Sequence, residues 1–183
     1  MKPFADKKIT VLGLGGVGGY VGALLADTYP HVTFVARGER GKSIREKGLV
    51  LHSDYRGERT VRPERVVETA ESLETQDYIF ICVKNYSLEE ACRSLTGCVS
   101  EDTVIVPVMN GADPGDRVRE YLPEGTVIDS LIYIVAFANA DFSVTQQDKF
   151  AGLYVGILDA GAADLPKCCD TSVLFFRLLL VCS

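Results

Sequence analysis

The chain has 183 residues, of which 47% are hydrophobic and 24% are charged, and its formal net charge is −6. A chain of this length can bury a hydrophobic core of its own without metals or disulfides, and this composition is typical of a soluble globular protein. The negative charge, with no run of lysines and arginines, argues against the basic surface that nucleic-acid binding requires.

The first predicted unit is a strand, a glycine-rich turn and a helix. Lys8–Leu12 is a short apolar run that ends at Gly13, as in strands covered on both faces. After the glycines, apolar residues recur at helical spacing from Val17 to Leu25. A second strand, Val32–Ala36, completes a β-α-β unit, and its right-handed crossover places both strand carboxyl ends on one edge.

The middle of the chain is predicted to alternate strands and helices, because apolar runs of strand length are followed by amphipathic stretches. The predicted elements are, in order, a helix beginning in Arg37–Lys47, strands Leu49–Ser53 and Thr60–Val67 around a turn at Arg56-Gly57, strand Tyr78–Val83, a helix from Ser87 to Leu95, strand Thr103–Met109, and a helix carrying Val118, Tyr121 and Leu122. Ser87 and Glu90 have the spacing of a capping box, and Asp113 with Pro114 supplies an N-cap and a first-turn proline.

The sequence changes character after these helices. Three strands are predicted without helices between them: Thr126–Val135, Phe142–Gln146 and Leu153–Leu158. We expect them to extend the far edge of the sheet. The final stretch, Ala160–Ser183, predicts one helix over Thr171–Val181. Its apolar run, Val173–Cys182, is interrupted by Arg177 and is too short to span a bilayer.

The glycine-rich turn GLGGVG has a spacing that suits a bound dinucleotide. Gly13 permits a tight turn, Gly15 lets the backbone approach a pyrophosphate, and Gly18 allows close packing of the helix. The helix N-terminus offers free N–H groups to the anion. Such turns also occur simply to reverse a chain, but the flanking strands and helix are all present here, which favours dinucleotide binding.

Arg37 follows the second predicted strand, at the position that selects between the two nicotinamide dinucleotides. An acidic residue there would hold the ribose hydroxyls of NAD, whereas a basic one pairs with the additional phosphate of NADP. Arg40 and Lys42 follow closely. The alternative is a solvated basic turn, which is the usual environment of a charge cluster. Because an arginine is present and an acid is absent, the sequence favours NADP.

Lys84 and Asn110 each follow a predicted strand, at the carboxyl end, where open α/β sheets bind their ligands. Alternatively, Lys84 is a surface lysine that begins a loop, and Asn110-Gly111 is a turn pair that tolerates a left-handed backbone. The two histidines, His31 and His52, lie on different segments, so the sequence predicts neither a histidine acid nor a metal site.

The cysteines and the N-terminal residues help to predict the cellular compartment of the protein. The six cysteines are Cys82, Cys92, Cys98, Cys168, Cys169 and Cys182. Their spacing is neither that of a zinc site nor that of a disulfide scaffold, which indicates reduced thiols in a cytoplasmic protein. The first residues lack the pattern of a secretory signal peptide, and no membrane span is expected.

Together these segments resemble the ketopantoate reductase family, the 2-dehydropantoate 2-reductases of pantothenate synthesis. The resemblance rests on ITVLGLGGVGGYVGALLA, FVAR, ICVKNYSLEEA and VPVMNGADPGDRV, and continues more loosely through VIDSLIYIVAFANADFSVTQ to about Gly156. It implies an α/β fold, with a Rossmann-type, mostly parallel sheet, helices on both faces and a few later strands. Residues 1–158 would form the NADP-binding domain, and residues 159–183 a short tail that is the truncated start of a C-terminal region.

The resemblance also implies site residues and a reaction. Arg37 would pair with the NADP phosphate, Lys84 would lie near cofactor and substrate, and Asn110 would position the nicotinamide and the substrate. The cofactor-binding set it implies is Gly13, Leu14, Gly15, Gly16, Val17, Gly18, Arg37, Lys84 and Asn110. Hydride would pass from NADPH to the ketone carbon of ketopantoate, a small keto acid, while an ammonium group protonates the alkoxide. A homodimer is compatible with the sequence, which does not fix the oligomeric state.

The chain departs from the family pattern at its end. In the family, a second, helical domain supplies the general-acid lysine and a carboxylate that contacts substrate. Lys167, the lysine of the tail, lies in LPKCCDTSV, which does not match the family's lysine-bearing helix. Three hypotheses stay open: the NADP-binding half of a ketopantoate reductase, a noncatalytic nucleotide-binding module or truncated relic, and a related reductase of another small 2-keto acid.

Overall fold

The computed structural model describes residues 6–111 and 113–156. The strands and α-helices in these residues are, in chain order, β1 (Ile9–Leu12), α1 (Gly16–Thr28), β2 (Val32–Val35), α2 (Gly38–Lys47), β3 (Leu49–Ser53), β4 (Gly57–Val61), β5 (Arg65–Val67), β6 (Tyr78–Ile81), α3 (Leu88–Leu95), β7 (Val104–Pro107), α4 (Pro114–Tyr121), β8 (Thr126–Val127), β9 (Asp129–Ala138) and β10 (Val144–Gly156). The predicted tail helix, the boundary at residue 158 and Lys167 lie outside the described residues.

Six parallel strands form the main sheet, in the order β5-β2-β1-β6-β7-β8. Its four central strands are buried at every position, as expected for strands covered on both faces. Val11 packs in the cluster that includes α1 residues, while its neighbour Leu12 packs in the cluster that includes α3 and α4 residues. Because neighbouring residues of a strand point to opposite faces, helices cover both sides, and the predicted fold class is confirmed.

A second sheet of four strands has the order β4-β3-β10-β9. It covers the outer side of α1, so this helix lies between the two sheets and is buried at Tyr20, Leu24 and Leu25. A helix between two sheets is buried on opposite sides, so it needs apolar or small residues around its whole circumference rather than in one stripe. The sequence of α1, GVGGYVGALLADT, meets this requirement. The cluster around α1 includes Val144 and Leu153 of β10.

The later strands differ from the sequence-based expectation. The extension of the main sheet's edge is confirmed for β8, which pairs with β7, but it is wrong for β9 and β10, which pair with each other and with β3. The reason lies in α1, whose outer apolar surface needs cover. From Leu131 to Phe137, β9 alternates exposed and half-buried side chains, and its half-buried face provides that cover.

Four predicted strands also have different bounds in the structure. The predicted strand Thr126–Val135 is divided into β8 and β9, which belong to different sheets. The predicted strand Thr60–Val67 is divided into β4 and β5, which belong to different sheets, and Pro63 lies between them. Residues 144–146 and 153–156, from the predicted strands Phe142–Gln146 and Leu153–Leu158, belong to one strand, β10, with a change of register between Gln147 and Gly152. Residues 157 and 158 lie outside the described residues.

The ends of the helices are only partly as predicted. Pro114 begins α4, but Asp113 makes no side-chain cap hydrogen bond there, and Ser87 makes none at the start of α3. Among the helices in the described ranges, none is both long enough and apolar enough to cross a membrane.

Candidate functional site

The glycine loop between β1 and α1 lies at the carboxyl edge of the main sheet. Gly13 has a φ of +92°, a left-handed conformation that favours glycine. A Cβ atom at this position would also lie 2.9 Å from the carbonyl oxygen of Cys82. Gly15 is the N-cap of α1, and an added Cβ there would meet no atom within 4 Å. The loop therefore turns tightly at its first glycine and is open at its second.

Gly16 and Gly18 are required by close packing. An added Cβ on Gly18 would overlap the carbonyl oxygen of Gly13, and one on Gly16 would overlap the backbone of Ala136 in β9. The first contact is the close approach that the sequence predicts for the third glycine of the motif. The second contact was not predicted, because it depends on the second sheet lying over α1.

The strand order reverses at this loop. From β1 the chain passes to β2 on one side, and it later returns to β6 on the other side of β1. In open α/β sheets a crevice forms at such a switch point, outside the carboxyl ends of the strands. Two cavities open here, one on each side of the glycine loop, and Gly15 and Val83 line both of them. One extended ligand could therefore lie across the loop and occupy both cavities.

The arginine cavity, with a volume of about 360 Å³, lies between the ends of β1 and β2 and the helix α3, and its lining includes Arg37, Arg40 and Glu90. Arg37 is the N-cap residue of α2, and its Nη1 lies 2.9 Å from Oε1 of Glu90. Both of these side chains are largely exposed. Arg40 differs, because its Nε and Nη2 atoms are buried and have no hydrogen-bond partner in the part of the chain that the structure describes.

The lysine cavity, with a volume of about 140 Å³, lies on the other side of the loop and includes Lys84 and Asn110 in its lining. Both residues are exposed, and neither makes a side-chain hydrogen bond or ion pair to any other described residue. Lys84 is the charged residue of this lining, and Met109, Ile132 and Ala136 add apolar surface. The cavity thus combines one cation and two amides, those of Asn85 and Asn110, with apolar walls.

Cys82 also lines the lysine cavity but is unsuited to nucleophilic chemistry. Burial raises the pKa of its thiol to about 12. A thiol with this pKa stays protonated at neutral pH, and only the thiolate is an effective nucleophile. Burial also raises the pKa of Cys92 and of Cys98 to about 11. The three cysteines in the described residues are free, and they pack in or against the hydrophobic clusters.

The structure brings the residues singled out in the sequence to one edge of the sheet. Of the cofactor-binding residues predicted from the sequence, those in the lining of the arginine cavity are Gly13, Leu14, Gly15 and Arg37. Those in the lining of the lysine cavity are Gly15, Gly16, Val17, Lys84 and Asn110. Gly18 lines neither and packs beneath the loop. Sequence reasoning missed Glu90 as the partner of Arg37, and it missed the wall that β9 provides. It noted Arg40 only as part of a basic cluster.

The sequence is similar to a family of reductases and to individual proteins of known sequence. Residues 9–160 match the family described as Ketopantoate reductase PanE/ApbA. The chain is 31% identical over 127 residues to the Uncharacterized oxidoreductase YkpB of Bacillus subtilis, covering 69% of this chain and 41% of that protein. It is 31% identical over 147 residues to the 2-dehydropantoate 2-reductase of Mesorhizobium japonicum, covering 69% and 44%. The chain thus spans less than half the length of these curated relatives.

Solved structures share the fold. The 2-dehydropantoate 2-reductase of Porphyromonas gingivalis W83 matches with a TM-score of 0.79 and 33% identity, over 96% of this chain and 61% of that one. A D-mandelate dehydrogenase, solved as a ternary structure with NADH and anilino(oxo)acetate, matches with a TM-score of 0.77 and 19% identity, over 95% of this chain and 54% of that one. The second likeness is one of fold alone.

Proposed function

This chain belongs to the ketopantoate reductase PanE/ApbA family, and from this premise we propose that it binds NADPH for the reduction of 2-dehydropantoate to pantoate. The family and the fold together indicate an oxidoreductase with a nicotinamide dinucleotide cofactor. NADP as the particular dinucleotide, pantothenate biosynthesis as the pathway and the cytoplasm as the location are parts of this proposal. One observation carries it: the glycine loop lies between an arginine-lined cavity and a lysine-lined cavity at the switch point of the sheet.

The residues present fit such a cofactor. The open space at Gly15 leaves room for a pyrophosphate beside the N-terminus of α1, where no side chain caps the helix. The free N–H groups and the dipole of a helix N-terminus favour an anion. Arg37 and Arg40 offer positive charge at the end of β2, where the ribose phosphate of NADP would lie. The nicotinamide would then lie on the other side of the loop, in the lysine cavity.

Lys84 and Asn110 would act on the substrate in the lysine cavity. When bound, NADPH supplies the hydride that adds to the ketone carbon of the keto acid. As the hydride adds, the π electrons of the carbonyl group would move onto its oxygen, and a proton from solvent water would complete the hydroxyl of pantoate. The ammonium of Lys84 attracts the anionic keto acid and opposes the negative charge that develops on this oxygen. The amide of Asn110 orients the nicotinamide and the substrate.

A titration followed by a turnover assay tests this function. NADPH is titrated into the purified chain, and oxidation of NADPH is then followed at 340 nm on addition of 2-dehydropantoate. We expect saturable binding and substrate-dependent oxidation. Binding without turnover would support a noncatalytic nucleotide-binding module and would contradict the reductase part of the proposal.

A second candidate function is the reduction of a different small 2-keto acid. The fold neighbour solved with NADH and anilino(oxo)acetate is a D-mandelate dehydrogenase, and one relative is described only as an oxidoreductase. The apolar walls of the lysine cavity suit any keto acid with an apolar group beside its carbonyl. Comparison of kcat/KM across 2-keto acids that differ in this group separates the candidates. The highest value for 2-dehydropantoate supports the first, and a higher value for an aromatic keto acid supports the second.

A further inference from the structure

The two arginines of the arginine cavity have different surroundings. The guanidinium of Arg37 is 65% exposed and already has a carboxylate partner, Glu90, at 2.9 Å. Arg40 is half-buried, and its Nε and Nη2 atoms lack a hydrogen-bond partner among residues 6–111 and 113–156. An anion that enters the cavity must therefore compete with Glu90 for Arg37, whereas Arg40 is available to it.

The surroundings of Arg40 fit a bound anion. Buried polar groups in native proteins almost always have a hydrogen-bond partner, and a buried charged donor without one is costly. Desolvation lowers the pKa of Arg40, which is the direction expected for a half-buried guanidinium. Arg40 lies in the first turn of α2, where the helix dipole also favours an anion. The charge, the cavity and the helix end therefore favour the same kind of ligand.

Glu90 has the opposite effect. Among the residues that line the arginine cavity it is the acidic one, and it comes from α3, across the cavity from α2. Its carboxylate holds the guanidinium of Arg37 and would repel a phosphate in the same space. A ribose without this phosphate would not be repelled in this way, and its hydroxyl could donate a hydrogen bond to the carboxylate.

We propose that Arg40 is the principal ligand of the ribose phosphate and that Glu90 weakens phosphate binding by pairing with Arg37. This inference rests on the proposed function, since it assigns residues within the same dinucleotide site. The preference between NADPH and NADH is then set by three side chains, of which the exposed Arg37 contributes less than Arg40.

Four single variants test this assignment, with NADPH and NADH titrated into each by calorimetry. Arg40→Gln should weaken NADPH by about tenfold to a hundredfold, the effect of one charge-assisted hydrogen bond, and should leave NADH within about twofold. Arg37→Gln should weaken NADPH less than Arg40→Gln does. Glu90→Gln should strengthen NADPH by about threefold to tenfold. Lys42→Gln is the matched control, because Lys42 is exposed on α2 and does not line the cavity.

The outcomes distinguish this inference from the proposed function. If the wild-type chain binds both dinucleotides and Arg40→Gln weakens NADPH no more than Lys42→Gln does, the inference is wrong and the proposed function stands. If the wild-type chain binds neither dinucleotide, both are wrong. Should Arg40→Gln fail to fold, the other two variants still decide, since unchanged or weaker binding of NADPH by Glu90→Gln overturns the role of Glu90, and loss of NADPH binding by Arg37→Gln overturns the order of the two arginines.

Discussion

The two cavities beside the glycine loop differ in how firmly their polar side chains are held. In the arginine cavity, Arg37 is paired with Glu90, and the guanidinium of Arg40 is partly buried. In the lysine cavity, Lys84 and Asn110 are exposed and have no side-chain partner within the described residues. A partly buried guanidinium loses less freedom when it binds an anion, so Arg40 makes the arginine cavity suited to binding by itself. The second needs a bound cofactor and substrate to order its side chains.

The largest expected effect comes from a change that disturbs both cavities at once. Gly18→Ala places a Cβ against the carbonyl oxygen of Gly13 and should displace the whole loop. Overpacking of this kind typically costs about 1 to 3 kcal/mol, and dinucleotide binding should be lost. Thermal unfolding and NADPH titration measure the two effects. Gly97→Ala is the matched control, because its added Cβ meets no atom within 4 Å. Equal stability and equal NADPH affinity in the two variants would contradict the structural role of Gly18.

The next effect is confined to the arginine cavity. Arg37→Asp removes a cation and places a second carboxylate near Glu90, so NADPH should bind about a hundredfold more weakly while NADH changes by less than about threefold. Titration of both dinucleotides measures the difference. Lys42→Asp makes the same change of charge outside the cavity and controls for long-range electrostatics. Equal losses for NADPH and NADH would remove Arg37 from the phosphate site.

A smaller effect is expected in the lysine cavity alone. Lys84→Met keeps the apolar part of the side chain and removes its charge, so kcat/KM for the keto acid should fall by about tenfold to a hundredfold. The dissociation constant of NADPH should change by less than about twofold, because the phosphate-binding residues are untouched. Steady-state kinetics and titration give the two values, with Lys47→Met as the exposed-lysine control. A large loss of NADPH affinity would show that the two cavities do not act separately.

The smallest effect concerns the thiols of Cys82, which is half-buried, and of Cys92 and Cys98, which are buried. In the folded state, burial raises the pKa of Cys82 to about 12, and it raises the pKa of Cys92 and of Cys98 to about 11. Unfolded thiols ionise at lower pH, so these groups favour the folded state below the unfolded pKa, and that contribution is lost as the pH rises through the folded values. At pH 8, alkylation by iodoacetamide should leave all three unmodified in the folded chain and should modify them in urea. Peptide mass spectrometry measures the modification, and rapid labelling of folded Cys82 would show that its surroundings are open.

The sequence predicted the parts of the fold that depend on local pattern. The strand Lys8–Leu12, the glycine turn and the following helix obey spacing rules within about twenty residues, and the carboxyl-end positions of Lys84 and Asn110 follow from the topology of a parallel sheet. The second sheet was not predicted, because pairing of β3 with β10 joins Leu51 to Val144 across a long stretch of chain. Local alternation identifies such strands but not their partners.

In the candidate site, too, the contacts between distant segments could not be predicted from local pattern. Arg37 was identified from its place after a strand, but its ion pair with Glu90 joins α2 to α3 and has no local signature. The buried state of Arg40 likewise depends on tertiary packing. The motifs of the sequence therefore identified which residues meet at the sheet edge, and only the structure distinguishes the two arginines.

Direct titration of NADPH and NADH into the purified, folded chain tests whether the glycine loop and the arginine cavity form a dinucleotide site selective for the additional phosphate. We expect saturable binding at one site per chain, with NADPH at least about tenfold tighter than NADH. Folded protein that shows no saturable binding of either dinucleotide would contradict this expectation.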